Sequence, residues 1–145
     1  VWRAVCERKV SGAFRGGRDC VKRMSTRYGG AGGSIVNLAS RAADLGAAHE
    51  YVDYAASKAA IDGMTLGLAR EVSDQDIRVN AVKPGLIYTE MHADGGEAGR
   101  VDRLKMGVPM QRGGLPAGVA EAIIWRLSDA SSFTTASFIE VSGGR

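Results

Sequence analysis

The chain has 145 residues, 45% of them hydrophobic and 24% charged, with a net charge of +3, a balance that suits one globular domain with a moderate core. No apolar run reaches the roughly 18 residues that a bilayer span needs, so no membrane partner is expected. Cys6 and Cys20 are too few for a disulfide scaffold or a zinc site; they are read as packing residues of a chain in a reducing, cytoplasmic setting, with no metal.

The charge is uneven. Residues 1–27 carry eight Lys/Arg against Glu7 and Asp19, while the remainder has eleven positive and fourteen negative residues. A basic arm can mark a nucleic-acid contact. Here the positives are spread along a possible helix with only Trp2 and Phe14 as aromatics, so a solvated face is expected and no nucleic-acid partner is assigned. The opening Val1–Lys9 lacks the order of a signal peptide and an initiator Met, so the chain reads as part of something longer.

Residues 10–26 show helical spacing at Val10, Phe14, Val21 and Met24, interrupted by Gly16-Gly17, each of which costs about 1 kcal/mol inside a helix. Tyr28–Gly33 reads as loop, and Ser34–Ala39 as a short buried strand. After a loop from Ser40 to about Glu50, residues 52–73 predict the longest helix, with Ile61, Met64, Leu68 and Val72 in one stripe. Ile77–Val82 predicts a second strand, stopped by Pro84-Gly85. Residues 90–114 have the polar, glycine-rich composition of a mobile loop. Residues 117–128 predict a helix packed through Val119, Ala122, Ile123, Trp125 and Leu127, and Phe138–Val141 a last strand. Alternating strands and long helices argue for a parallel α/β fold.

Tyr54 and Lys58 stand one helical turn apart, so the phenol and ammonium project from one face. A nearby cation favours the phenolate, and such a tyrosine can exchange a proton with a carbinol oxygen. Ser40 follows the first strand, where an α/β sheet binds ligands, and its hydroxyl can polarise a substrate oxygen. Pro84-Gly85 and the residues to Thr89 arrive at the same edge, with Gly85 letting backbone approach a flat ligand.

These pieces together resemble the short-chain dehydrogenase/reductase family. The resemblance rests on Ile35–Ser40, on Tyr54-Ala55-Ala56-Ser57-Lys58, on Ile77–Gly85 with Thr89, and on the ending Phe138–Gly144. The stretches Tyr88–His92 and Val108–Gly114 look most like bacterial glucose dehydrogenases and 3-oxoacyl-carrier-protein reductases. The resemblance implies the C-terminal part of a Rossmann-like, doubly wound parallel sheet whose N-terminal cofactor-binding half is missing. It implies catalysis by Ser40, Tyr54 and Lys58, and contact with NADP or NAD by Tyr54, Lys58, Pro84, Gly85, Ile87 and Thr89. It implies a small-molecule alcohol or carbonyl substrate, and a homo-oligomer in the full-length form that packs through Ala55, Ala56, Ala59 and Ala60. The chain divides into a leading helix and loop (1–33), a catalytic strand–helix–strand (34–89), a substrate lid (90–114) and a C-terminal helix and strand (115–145).

Three departures accompany this reading. Ser11–Arg18 imitates the family's glycine-rich cofactor loop but has no strand before it. The position of a family asparagine in a proton relay falls on Lys9, a second cation that could oppose Lys58, and Ala136 replaces a usual glycine. The alternative is therefore an inactive remnant that folds or associates without turnover. Among other residues, His49 is expected on the loop surface, and His92, Asp94, Glu97, Arg100 and Arg103 in the lid. Trp125 and Phe133 are expected in the packing.

Overall fold

The computed structural model describes residues 2–145. Strands β1 (Gly33–Leu38), β2 (Ile77–Pro84) and β3 (Phe138–Val141) form a parallel sheet in that order, with Gly33 opposite Ile77 and Ala81 opposite Phe138. Helix α4 (Val52–Val72) joins β1 to β2, and α7 (Pro116–Leu127) lies between β2 and β3. The chain thus has the α/β class and parallel order expected.

Strand β2 is buried on both faces, and its two-residue alternation sorts the core. Ile77, Val79 and Ala81 face α4 with Ala69, Val72 and Ile61. Val82 faces α7 with Val119, while Ala122 and Ile123 pack beside it. Asn37 on β1 donates to Thr65 of α4 at 2.9 Å, and Thr65 in turn bonds the Ile61 carbonyl at 2.8 Å, so a polar pair is satisfied where strand meets helix.

The leading helix differs from expectation. It starts as α1 (Trp2–Val5), widens to a π-helix over Cys6–Ser11 and continues as α2 (Gly12–Met24). Gly16-Gly17 does not break it, because α2 packs on α4: a Cβ at Gly17 would already touch the Leu68 side chain at 3.4 Å. The Ser11–Arg18 imitation of a cofactor loop therefore lies within helix. Cys6 is half-buried and Cys20 exposed, so Cys20 is not the packing residue expected. The next turn is glycine-dependent, since a Cβ at Gly30 would lie 2.3 Å from the Met24 carbonyl oxygen.

Two regions read as loop contain helix: α3 (Ala42–Leu45) after β1, and α5 (Met91–Asp94) with α6 (Arg100–Leu104) inside residues 90–114. Further correction falls on α7 and its sequel. Trp125 is 41% exposed, Leu127 49% and Phe133 fully exposed, whereas Arg126 is buried. The stripe facing the sheet runs Val119, Ala122, Ile123, Arg126, a spacing of three or four residues that leaves Trp125 and Leu127 outside. Arg126 Nη1 donates to Ser137 Oγ at 2.5 Å, its Nε has no partner, and no carboxylate neutralises it among the described residues. Burial, followed by the neighbouring Arg78 cation, lowers its pKa. No helix among the described residues is long and apolar enough to cross a membrane.

Two stability measurements follow. Ile77→Ala, at a site 1% exposed, lowers the unfolding free energy by about 2–5 kcal/mol in urea titration, as buried large-to-small changes do. Arg126→Leu raises the unfolding free energy in the same titration by on the order of 1 kcal/mol, because an unneutralised buried cation is exchanged for an apolar contact with the same sheet face.

Candidate active site

Because all three strands are parallel, their carboxyl ends share one edge, and the chain leaves that edge at Ser40, Gly85 and Ser142. A cavity of about 260 Å³ opens there, lined by Ser40, Tyr54, Pro84, Gly85, Tyr51 and Arg100 among others. Ser40 is nearly buried. Its Oγ accepts the Ala42 N–H at 3.1 Å, and its hydroxyl lines the cavity together with the Tyr54 phenol.

Tyr54 sits in the first turn of α4. Asp53 Oδ1 accepts the Tyr54 N–H at 2.8 Å, and fully buried Ser57 donates to the Tyr54 carbonyl at 2.7 Å, so the turn that aims the phenol is pinned at both backbone groups. Lys58 lies one turn on. Its Nζ donates to the Leu38 carbonyl at 2.5 Å and stands 5.7 Å from the centre of the Tyr54 ring. The ammonium is thus held between the end of β1 and the phenol.

The electrostatics differ from the simple expectation. Burial pushes the Tyr54 phenol above its ordinary value, with the nearby Ser40 hydroxyl only partly offsetting it. Lys58 does not reverse this, since its ammonium is drawn to the Leu38 carbonyl beneath the ring. Burial also lowers Lys58 itself, to about 8, assisted by the Lys9 cation and opposed by Asp62. The π-turn that carries Lys9 packs against α4, and the Lys9 cation acts on Lys58 as its position in the sequence implied.

The remaining predicted residues divide. Pro84 and Gly85 line the cavity; Lys58, Ile87 and Thr89 do not. Gly85 is needed by the chain itself, for a Cβ there would lie 2.8 Å from Ser142 Cα. Ile87 is buried and pairs with Gly114, while its carbonyl is 2.9 Å from His92 Nε2. Its N–H engages no acceptor among the described residues. Thr89 is exposed. Of the polar lid residues, His92 and Arg100 reach the cavity, while Glu97 and Arg103 bond each other at 2.5 Å.

Motif reasoning passed over an ion cluster beneath the site. Lys83, 6% exposed, bonds Asp44 of α3 at 2.8 Å and Asp62 of α4 at 2.9 Å. Burial works against its charge, but the two carboxylates outweigh it and raise its pKa. A lysine inside an otherwise apolar strand was the available signal. No group of three or more potential metal-ligating side chains occurs among the described residues. Replacing Lys9 by Met removes a cation near Lys58, so the Lys58 midpoint, followed by carbon NMR of the lysine side chains, moves upward from about 8.

Comparison with known proteins places this geometry. A family model described as enoyl-(acyl carrier protein) reductase matches residues 1–145. An uncharacterized oxidoreductase of Escherichia coli (strain K12), YgfF, is 58% identical over 97% of this chain and 57% of its own length. The 3-oxoacyl-[acyl-carrier-protein] reductase of Thermotoga maritima is 38% identical over 99% of this chain and 56% of its own. Among solved structures, a gluconate 5-dehydrogenase from Burkholderia cenocepacia in complex with NADP and tartrate aligns with a TM-score of 0.86 at 28% identity, over 99% of this chain and 55% of that one. The chain therefore spans about half the length of the relatives it matches. With its parallel sheet and the Ser40, Tyr54 and Lys58 arrangement at the strand ends, the chain belongs to the short-chain dehydrogenase/reductase family.

Proposed function

We propose that this chain is the catalytic portion of an oxidoreductase that moves a hydride between a nicotinamide cofactor, NADP or NAD, and the carbon of a secondary alcohol or ketone. The observation that carries the proposal is that two hydroxyls, those of Ser40 and Tyr54, line one cavity at the sheet's carboxyl edge. Ser40 donates to the substrate oxygen and holds it beside the phenol. Tyr54 then gives its proton to that oxygen in ketone reduction, or takes one in alcohol oxidation. A phenol held above its ordinary pKa by burial is protonated at neutral pH and suits the donor role. Lys58 keeps positive charge behind the ring as the phenolate develops.

When bound, the nicotinamide supplies or accepts the hydride. The residues present fit such a group. Pro84, Gly85 and Leu86 border the cavity, and the unengaged N–H of Ile87, next in the chain, is a donor suited to a carboxamide. Lys58 and Thr89 would complete the contacts, through the ribose and the nicotinamide end respectively. Ala56, Ala59 and Ala60 form an exposed small-residue face on α4, which supports association of the full-length protein with a second copy.

The test is direct. Titration calorimetry of the full-length protein with NADPH and NADH, followed by assays against small ketones, is expected to show micromolar binding and turnover, and Tyr54→Phe lowers turnover by about a hundredfold to ten-thousandfold. Binding of neither cofactor would favour the inactive remnant. Unchanged turnover in Tyr54→Phe would remove Tyr54 from the chemistry.

A further inference from the structure

The segment between α3 and α4 reaches Tyr54 with little regular structure of its own. Ala47 and His49 hold positive φ, 47° and 63°, which non-glycine residues retain only where their surroundings enforce it. Opposite lies the segment of α5 and α6, made of helices of only four and five residues. Between them four charges close a ring. Glu50 accepts from Arg100 Nη2 and lies 3.5 Å from Arg103 Nη2. Glu97 is 3.7 Å from Arg100 and bonds Arg103 through two nitrogens, at 2.5 and 2.9 Å. The Arg100 guanidinium also lies 5.3 Å from the centre of the Tyr51 ring. Glu50, Tyr51 and Arg100 all line the cavity that holds Ser40 and Tyr54.

We infer that Glu50 is a positioning residue of this site: by bridging Arg100 and Arg103, it latches residues 91–104 over the cavity and anchors the strained loop that feeds the catalytic helix. The inference rests on reading the cavity as the active site. Scattered surface ion pairs contribute little, but here Arg100 is only 15% exposed at its side chain and each carboxylate meets both guanidiniums. Two other ties of this segment, His92 to the Ile87 carbonyl and Tyr88 to Asp102 at 2.8 Å, run to the cofactor strip. Toward the catalytic helix, the Tyr51 hydroxyl donates to the Gly95 carbonyl at a long 3.5 Å, and the Glu50 ring supplies the charged tie. Lifting it opens the cavity for exchange of a small-molecule ligand, and closing it withdraws the hydroxyl pair from water.

Hydrogen–deuterium exchange on the full chain tests this without requiring turnover. In Glu50→Gln, amides of residues 91–104 and 46–51 exchange about tenfold faster than in the parent, while those of β2 are unchanged. Raising salt to about 1 M speeds the same amides in the parent and has no further effect in the variant, and Glu50→Asp restores part of the protection. Where turnover is measurable, Glu50→Gln raises KM for the carbonyl substrate several-fold more than it alters kcat. Equal exchange of residues 91–104 in parent and variant overturns the latch, as does acceleration that extends through β2. Absence of cofactor binding by the full-length protein, with the exchange difference intact, would sink the dehydrogenase reading and leave the latch standing.

Discussion

Burial of β2 on both faces is the constraint on which the structure depends. A strand covered on both sides must send alternate residues to different partners, so Ile77, Val79 and Ala81 bind α4 while Val82 meets α7. A shift of one residue would exchange the two sets and set Arg78 and Asn80 against the apolar side of α4. This register aligns the ends of β1 and β2, and with them the departure points of Ser40 and Gly85. The site is a consequence of sheet pairing before it is a matter of side chains.

Around that edge the protein manages charge by enclosure. Lys58 is held by a carbonyl rather than a carboxylate, with Lys9 and Asp62 acting on it in opposite directions. Lys83 is neutralised by Asp44 and Asp62 and ties β2 to α3 and α4. Glu50 and Glu97 occupy the two arginines above the cavity. Ionic groups here fix the relative positions of segments, and the hydroxyl pair is left to face the ligand. Arg126 stands apart, a buried cation on the other face of the sheet with no acid beside it.

Much was legible from residue order. The three strands, the long helix and the convergence of Ser40, Tyr54, Pro84 and Gly85 follow from period-two and period-3.6 patterns, turn residues and the helical spacing of Tyr54 and Lys58. Such signals are local, and a few residues suffice to state them. The long leading helix was obscured because Gly16-Gly17 carries an intrinsic penalty that packing on α4 overrides. Trp125 was misplaced because composition favours burying it, whereas the helix phase places Arg126 toward the sheet instead.

The sequence by itself determined the fold class, the family and the residues that could do chemistry, because those depend on local pattern and on motif spacing. Only the tertiary structure decided how they act on one another. The phenol is raised rather than lowered because burial is a property of the assembled core. Gly85 is small for Ser142, a neighbour 57 positions away by subtraction of their numbers. Glu50 and Arg100 meet across 50 positions of chain. Contacts at such separations are written by packing, and no window of neighbouring residues contains them.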